Sequence, residues 1–366
     1  MKLTKFFAFA FAALAFVACG EEKPEEKPIP TGAIQLAADK TAVAIGETVT
    51  FTVTDAEGQD VTSQTIIYDE DFNEVGSQVT FNESGSYSFF ATLGSENSNY
   101  VTILVMAEVP EVPADPQPEN FAFNYRALII DQTGVNCQFC PNATDVLRAF
   151  EESKWHGNYN EVTCHAGGYA NGDPGNSAAA NALNKFQGSS IKGYPCILVN
   201  FYGAPQSYSY SYVEQVLKQF VAANANGAGV GVSLAVTGDE KCVYAAAQVK
   251  SAVAKEYKIT AWLLESNIYS PNQAGATKDY HKIYNNALRN MSHEYSQTNV
   301  QGDAYTFEAN EVMDLAFELP IISTKWNYEN MSVLVVVSAK DANGRWEVAN
   351  SAVCKINEAK EFEYAK

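Results

Sequence analysis

Residues 127–141 read ALIIDQTGVNCQFCP and place a Cys-x-x-Cys pair between two different kinds of pattern. An apolar run of strand length begins at Ala127 and precedes the pair. Apolar residues recur at helical spacing over residues 142–152, which follow it. Pro141 falls in the first turn of that expected helix, where a missing N–H group costs nothing. The stretch therefore predicts a buried strand, a Cys-x-x-Cys turn and a helix.

The position of the two cysteines suits redox chemistry. Unpaired N–H groups and the helix dipole at a helix N-terminus lower the pKa of a thiol there. The thiolate is the attacking species, so Cys137 is the expected nucleophile and Cys140 the residue that resolves a mixed disulfide. This arrangement is typical of thioredoxin-like domains. A permanent structural disulfide and half of a zinc site are the alternatives.

Two further residues fit a thioredoxin-like domain. Asp131 lies six residues before Cys137 on the apolar strand, where a buried acid could accept the proton of Cys140. Pro195 directly precedes a second apolar strand, the place where such folds have a cis-proline that shapes substrate docking. The remaining elements of the expected order are a strand at 161–164 and helices at 177–186 and 212–223.

The beginning of the chain is expected to be a targeting sequence and not part of the fold. Its apolar stretch is shorter than the ~20 residues that a membrane-spanning helix needs, so it predicts a secretory signal peptide. The sequence Phe-Val-Ala-Cys ending at Cys19 resembles the lipobox of bacterial lipoproteins, in which the cysteine becomes the lipidated N-terminus. Acidic residues after Cys19 resemble the surface-export signal of outer-membrane lipoproteins. We therefore expect a lipid-anchored outer-membrane protein facing the cell surface, with the periplasmic face as the alternative.

Composition shifts divide the rest into modules and predict a multi-domain protein. Alternating short strands before residue 107 indicate an immunoglobulin-like β-sandwich, and strand-length runs after residue 227 indicate a second β-sandwich. A Pro-rich linker separates the first sandwich from the thioredoxin-like α/β domain. The predicted segments are a signal peptide (1–18), a lipidated tether (19–31), the first sandwich (32–107), the linker (108–120), the thioredoxin-like domain (121–226) and the C-terminal sandwich (227–366).

Composition also excludes some classes of function. The chain has 366 residues, with 43 acidic and 24 basic side chains and a net charge of −19. Nucleic-acid binding requires clustered Lys and Arg, so no nucleic-acid partner is expected. Twenty Tyr and twenty Phe residues make the chain too apolar to be disordered.

Three stretches carry a resemblance to a known family. IIDQTGVNCQFCP, EVTCHAGGYANGDP and KGYPCILVNFYG are similar to motifs of the Omp28-related bacterial lipoproteins, and the resemblance spans roughly residues 121–355. It implies an outer-membrane lipoprotein that acts in adhesion, binding or envelope assembly. This chain departs from the motifs at Asn136, where Trp is usual, at Cys164 and at Cys196, where Thr is usual. The matching positions are Asp131, Thr133, Gly134, Cys137, Cys140, Pro141, His165, Asp173, Pro174, Gly193, Pro195 and Asn200. His281 and Arg289 match a further stretch in the C-terminal sandwich, where His281 is expected to be structural.

The other cysteines allow several interpretations. Cys164, the adjacent His165 and Cys196 fall toward the edge of the sheet that carries the Cys-x-x-Cys pair. Three interpretations of the two thiols remain open: they are buried apolar groups, they belong to a redox relay or second disulfide, or they are ligands of a metal site. We expect neither a metal nor a cofactor. Cys242 and Cys354 lie in two strands of the last module, and an oxidising compartment predicts a structural disulfide between them.

Two functions from different classes therefore remain. The first is binding or adhesion, with a lipid anchor in the outer membrane and envelope or host proteins as partners. The second is thiol–disulfide exchange by Cys137 and Cys140, with Asp131 moving the proton and Pro195 docking the substrate. The sequence leaves open whether the protein is an enzyme.

Overall fold

A computed structural model describes residues 34–365, so the predicted signal peptide, Cys19 and the tether lie outside the described residues. The chain divides into two compact units, of which the first ends at Val109 and the second begins at Pro110. This boundary falls inside the predicted linker, 108–120. Among the described residues, no helix has the length and apolarity needed to span a membrane.

The first unit consists of two β-sheets that share one core. Alternation decides which side chains enter that core: in the strand TVTFTVT, the three buried residues are Val49, Phe51 and Val53. One sheet has the order β1-β3-β6 and the other β2-β9-β7-β4-β5, with β8 paired to β7. The strands are β1 (Gln35–Ala38), β2 (Ala42–Ala44), β3 (Thr48–Thr54), β4 (Ile66–Tyr68), β5 (Glu74–Val75), β6 (Gln78–Thr80), β7 (Gly85–Leu93), β8 (Glu96–Asn97) and β9 (Val101–Met106).

The second unit begins with alternating strands and helices and continues with strands. The alternating part comprises β10 (Ala127–Thr133), α1 (Cys140–Glu151), β11 (Tyr159–His165), α2 (Ala178–Gln187), β12 (Cys196–Val199) and α3 (Tyr210–Ala223). The later strands are β13 (Val230–Gly238), β14 (Cys242–Ser251), β15 (Lys255–Glu265), β16 (Ile268–Tyr269), β17 (Ile283–Tyr284), β18 (Ala287–Met291), β19 (Asp303–Phe307), β20 (Glu311–Pro320), β21 (Met331–Lys340), β22 (Trp346–Lys355) and β23 (Ala359–Lys360).

A single sheet runs through both parts of the second unit. Its order is β12-β10-β11-β18-β15-β21-β22, with β19 paired to β15. The junction is the parallel pair of β11 and β18, where Thr163 lies opposite Ala287. The expected division between residues 226 and 227 therefore does not separate two compact units, because strands from both sides of it share hydrogen bonds.

Both faces of this sheet are covered. Apolar residues of β10 alternate between a core shared with α2 and a core shared with α1 and α3. Farther along the sheet, the four-stranded sheet β20-β14-β13-β23 packs against β15, β21 and β22 to form a third core. The chain is therefore a β-rich protein of more than one compact unit.

The predicted disulfide between Cys242 and Cys354 does not form, and both residues are free thiols. Cys354 lies in the core between the two sheets, on β22. Cys242 precedes the core residue Val243 on β14, so its side chain points to the opposite face of its sheet, toward Glu318. Strand alternation, which sets the side-chain direction, keeps the two sulfurs apart.

Candidate functional site

The Cys-x-x-Cys pair lies where β10 gives way to α1. Cys137 and Cys140 form a disulfide, and Cys140 is the first residue of the helix. The loop between strand and helix turns tightly, with the Cys137 N–H donating to the Gly134 carbonyl at 2.9 Å. Gly134 is required there because a Cβ atom would lie 2.7 Å from the backbone of Tyr169.

Both sulfur-bearing residues are buried beneath a downstream segment. Cys137 is 2% exposed and Cys140 is 1% exposed. Residues 273–281, which we call the covering segment, lie over the loop. Gln273 donates from Nε2 to the Cys137 carbonyl at 3.3 Å, and the Ala274 N–H donates to the Val135 carbonyl at 2.8 Å. The disulfide is therefore shielded from solvent by residues more than 130 positions later in the chain.

A glycine permits the closest approach of the covering segment. Gly275 has a φ of +71°, and a Cβ atom on it would lie 1.9 Å from the Gln138 carbonyl oxygen. Phe139, the next residue of the same loop, remains 59% exposed. The covering segment thus buries the sulfurs while leaving the aromatic ring between them at the surface.

The covering segment is also attached to α1 through Asp145. Lys278 Nζ lies 2.9 Å from this carboxylate, Tyr280 Oη 2.6 Å and His281 Nε2 2.8 Å. The Thr277 N–H donates to Nδ1 of His281, which leaves the ring hydrogen on Nε2 for Asp145. Burial alone would raise the pKa of Asp145, but these hydrogen bonds outweigh it and lower the pKa to about 2. The carboxylate is therefore ionised at neutral pH.

Asp131 lies on β10 on the side that faces α1. It is 2% exposed, and its Oδ1 atom has no hydrogen-bond partner among residues 34–365. Burial raises the pKa of Asp131 well above its ordinary value, and the charge of Glu161 adds to the shift. The Asp131 carboxyl group therefore has an oxygen available for another group.

A cavity of about 660 Å³ connects these elements. Its lining includes Asp131 of β10, Glu161 of β11, Cys140 of α1 and Tyr280 of the covering segment. Burial, and then the charge of Glu151, raise the pKa of Glu161 to about 7. The disulfide and two carboxyl groups with raised pKa values thus border the same space.

His165 positions the Cys-x-x-Cys loop through Asp173. His165 Nδ1 lies 2.9 Å from Asp173 Oδ2, which also accepts the Val135 N–H at 2.7 Å. The other carboxylate oxygen accepts from the Gly175 N–H at 2.8 Å. His165 is therefore a strand-end hydrogen bonder in this structure.

Cys164 and Cys196 lie on the opposite face of the sheet from Asp131. Both lie opposite Gln132 of β10, one on each neighbouring strand, so one strand separates them. Both are free thiols. Cys164 donates from Sγ to the Ala180 carbonyl at 3.0 Å, and burial raises the pKa of this thiol to about 12. Neither cysteine shares the cavity that Cys140 borders.

Pro195 lies beside the end of β10. The Tyr194–Pro195 peptide bond is cis, and the next residue, Cys196, lies opposite Gln132. Tyr194 donates from its hydroxyl to the Ala166 carbonyl at 3.1 Å. Asp131 thus lies on β10, and Pro195 directly precedes β12, the strand that pairs with β10.

Three features of this site were not predicted from the sequence: the covering segment, Asp145 and Glu161. His281 was noted, but no local pattern indicates that it contacts a helix 136 residues earlier. Glu161 is a charged residue at the start of the predicted strand 161–164, and this charge is the one sequence signal that could have identified it.

The comparisons with known proteins connect this architecture to one family. Residues 181–360 match the family model described as outer membrane protein Omp28, which confirms the resemblance over that range. HBP35 of Porphyromonas gingivalis is a structural neighbour at 17% identity and a TM-score of 0.52, covering 66% of this chain and 78% of that chain. This likeness concerns the fold alone.

A second neighbour is a putative membrane anchored protein from Corynebacterium diphtheriae. It has 12% identity and a TM-score of 0.21, over 92% of this chain and 60% of that chain, and we draw nothing from this low score. No curated protein matches the sequence. The Omp28 match points to an outer-membrane protein.

Proposed function

Starting from the Omp28 match, we propose that this chain is a surface-exposed outer-membrane lipoprotein that acts by binding other proteins, with its Cys137–Cys140 disulfide as a structural staple. The observation that carries the proposal is the burial of both cysteines beneath the covering segment. Disulfide exchange requires a thiolate to reach a sulfur atom, and burial denies that access to a protein substrate.

The arrangement of elements gives each part a role in this proposal. The order β10, α1, β11, α2, β12, with the Cys-x-x-Cys pair at the start of α1, supports a thioredoxin-like fold for residues 121–226. Such a fold also hosts proteins that bind without catalysis. The first unit, as an immunoglobulin-like module, lies between Cys19, the proposed site of the lipid anchor, and the second unit along the chain. Envelope or host proteins are the proposed partners.

The test of the staple is its redox behaviour in the purified full chain. We expect a reduction potential below about −300 mV, the range of structural disulfides, and no acceleration of insulin reduction. A potential between about −120 and −270 mV would contradict the proposal, especially with insulin reduction that disappears in a Cys137→Ser variant. A Cys242→Ser variant is the matched control, since this thiol is free and lies on another sheet.

The test of the anchor and orientation uses intact cells. A Cys19→Ala variant is expected to lose membrane association, because a cysteine thiol is the group to which the lipid would attach. Protease added to intact cells is expected to remove the wild-type chain from their surface. Protection of the chain in intact cells, with cleavage only after the outer membrane is opened, would instead indicate the periplasmic face.

Thiol–disulfide exchange is the second candidate, and one observation favours it. The buried carboxyl of Asp131 has an unpartnered oxygen in the cavity that Cys140 borders. In this function a substrate thiolate attacks Cys137 Sγ, the Cys137–Cys140 bond breaks, and Cys140 leaves as a thiolate that takes the proton of Asp131. A second substrate thiolate then attacks the substrate sulfur of the mixed disulfide and releases Cys137. Two electrons pass from the substrate dithiol to the cysteine pair.

A further inference from the structure

The cavity beside the disulfide has an acidic floor that no basic side chain neutralises. Asp131 and Glu161 lie on the neighbouring parallel strands β10 and β11 and both line the cavity. Within residues 34–365, neither carboxyl group takes part in an ion pair. We propose that this cavity binds a small organic amine, whose cationic nitrogen pairs with the carboxyl groups of Asp131 and Glu161.

The first argument is the unsatisfied oxygen of Asp131. A buried polar atom without a partner is energetically costly, so such atoms are rare and point to a missing partner. Oδ1 of Asp131 is such an atom, in a residue that is 2% exposed and borders the cavity. A hydrogen-bond donor that enters the cavity would satisfy it, and an ammonium group offers three donors.

The second argument is that the basic groups of the wall are engaged elsewhere. Arg126 forms an ion pair with Glu363, with Nη2 2.7 Å from Oε1. Arg148 stacks on the Tyr280 ring, with its guanidinium carbon 4.6 Å from the ring centroid. The other cationic side chain of the lining, Lys355, is exposed at the surface. None of these three side chains therefore pairs with Asp131 or Glu161, and a cationic ligand can supply that partner.

The third argument is the size and character of the walls. A volume of about 660 Å³ lies in the range of small-molecule sites, ~300–1,000 Å³. Tyr159, Tyr280 and Tyr284 line the cavity, and aromatic rings attract organic cations. The hydroxyls of Tyr280 and Tyr284 already donate to Asp145 and Gln273, so these two side chains present ring edges and not free hydroxyls to the cavity. An amine with an apolar body fits this combination better than a bare metal ion.

Benzylamine is the probe, and benzyl alcohol is its neutral counterpart of similar shape. Titration calorimetry with the full-length disulfide form is expected to give one site for benzylamine and binding at least about tenfold weaker for benzyl alcohol. Chemical shifts of the backbone amides of residues 129–133 and 159–165 would locate the bound amine. Equal affinity for the two compounds, or no benzylamine binding at a concentration of about 10 mM, would overturn the proposal.

Two variants test the named carboxyl groups. Asp131→Asn and Glu161→Gln should each weaken benzylamine binding about tenfold, because each removes one carboxyl partner of the ammonium group. Glu240→Gln, on the exposed turn between β13 and β14, should bind like the wild type. Thermal unfolding of each variant checks the fold, and Glu161→Gln keeps the test valid if Asp131→Asn is unstable. Unchanged affinity in a folded Glu161→Gln variant would show that the amine does not use this floor. The outcome is independent of whether the disulfide exchanges.

Discussion

Glu161 shows how one side chain makes the stability of this protein depend on pH. It sits on β11 between buried neighbours and lines the cavity together with Asp131. Its pKa is about 7 in the folded chain, against an ordinary value of 4.5, because burial and then the charge of Glu151 disfavour the ionised form. Ionising Glu161 therefore costs more free energy in the folded protein than in the unfolded chain.

The sign of this dependence gives a prediction. Below pH 4.5 the carboxyl is protonated in both states, and between pH 4.5 and about 7 the unfolded chain loses the proton first. The free energy of unfolding contributed by Glu161 should therefore fall over that window and level off above it. Glu161→Gln should remove this pH-dependent contribution. The free energy of unfolding of the variant should therefore increase relative to that of the wild type as pH rises from 4.5 to about 7. Urea denaturation across pH measures the difference, and a gap that does not change with pH would refute the shift.

Residue patterns predicted the chemistry of single positions well, but not their partners. Asp131 was expected to be a buried acid from its offset to Cys137, and the structure places it so. The predicted disulfide between Cys242 and Cys354 was wrong. The sequence indicates that each cysteine lies on a strand, but it does not show which face of the sheet each side chain points to. His165 was identified from its motif, yet its bond to Asp173 depends on a loop that closes back on the strand end.

At the scale of elements, α1 and the covering segment work as one unit. Asp145 accepts hydrogen bonds from three residues of the segment, and Gln273 and Ala274 fix its other end over the cysteine loop. Local opening of this segment is the step that would expose the sulfurs to solvent. Asp145 is therefore the residue whose loss should most directly expose the disulfide.

Asp145→Ala should accelerate reduction of the Cys137–Cys140 disulfide by dithiothreitol. The variant loses three charge-assisted hydrogen bonds, and one of them alone is worth about 1.4 kcal/mol or more, so the open population and the reduction rate should rise at least about tenfold. Mass spectrometry of alkylated samples over time measures the rate. Glu152→Ala is the control, since Glu152 is exposed at the end of the same helix and contacts only Arg148 by an ion pair. Equal rates in the wild type and both variants would mean that the segment does not limit access.

The helices and strands near the Cys-x-x-Cys pair could be predicted because each is set by a local pattern. The strand before the pair, the helix after it and the strand after Pro195 all appear near their predicted positions. The covering segment could not be predicted, because its contacts join residues more than 130 positions apart and its sequence carries no regular periodicity.

At the scale of the whole molecule, a buried lysine binds both the beginning and the end of the second unit. Lys250 is fully buried, and its Nζ lies 2.6 Å from Asp115 Oδ2 and 3.0 Å from the Pro118 carbonyl oxygen. The rings of Phe121 and Tyr364 surround the same ammonium at 4.5 and 5.4 Å. Residues 115–118, predicted to be a free linker, are therefore bound to the second unit, together with the end of the chain.

Lys250→Met should destabilise the second unit by about 3–5 kcal/mol, because it leaves Asp115 and two carbonyl groups without their shared donor. Lys340→Met is the matched control: Lys340 pairs with Glu256 at 3.0 Å on the surface, where such a pair contributes at most about 1 kcal/mol. Guanidinium denaturation monitored by tryptophan fluorescence compares the two. Similar small losses in both variants would show that the aromatic surroundings, and not the charge, hold these segments together.

The sequence predicted two domains, 121–226 and 227–366, and the structure places both in the compact unit that begins at Pro110. The division rested on a real change from alternating strands and helices to strands alone. Composition cannot reveal that β11 pairs with β18, since a single bridge between distant strands leaves no periodic signal.

The shared sheet makes the cysteine pair inseparable from the strands of the C-terminal half. A chain cut after residue 226 would lose β18, and β11 would become an unprotected edge open to association with other chains. The same cut would remove the residues that shield the sulfurs. The fragment would therefore aggregate more readily than the full chain, and its Cys137–Cys140 disulfide would be reduced more easily. Residues 121–226 are therefore not expected to fold as an independent domain in another protein. A chimera that retains the cysteine pair must also contain the downstream strands.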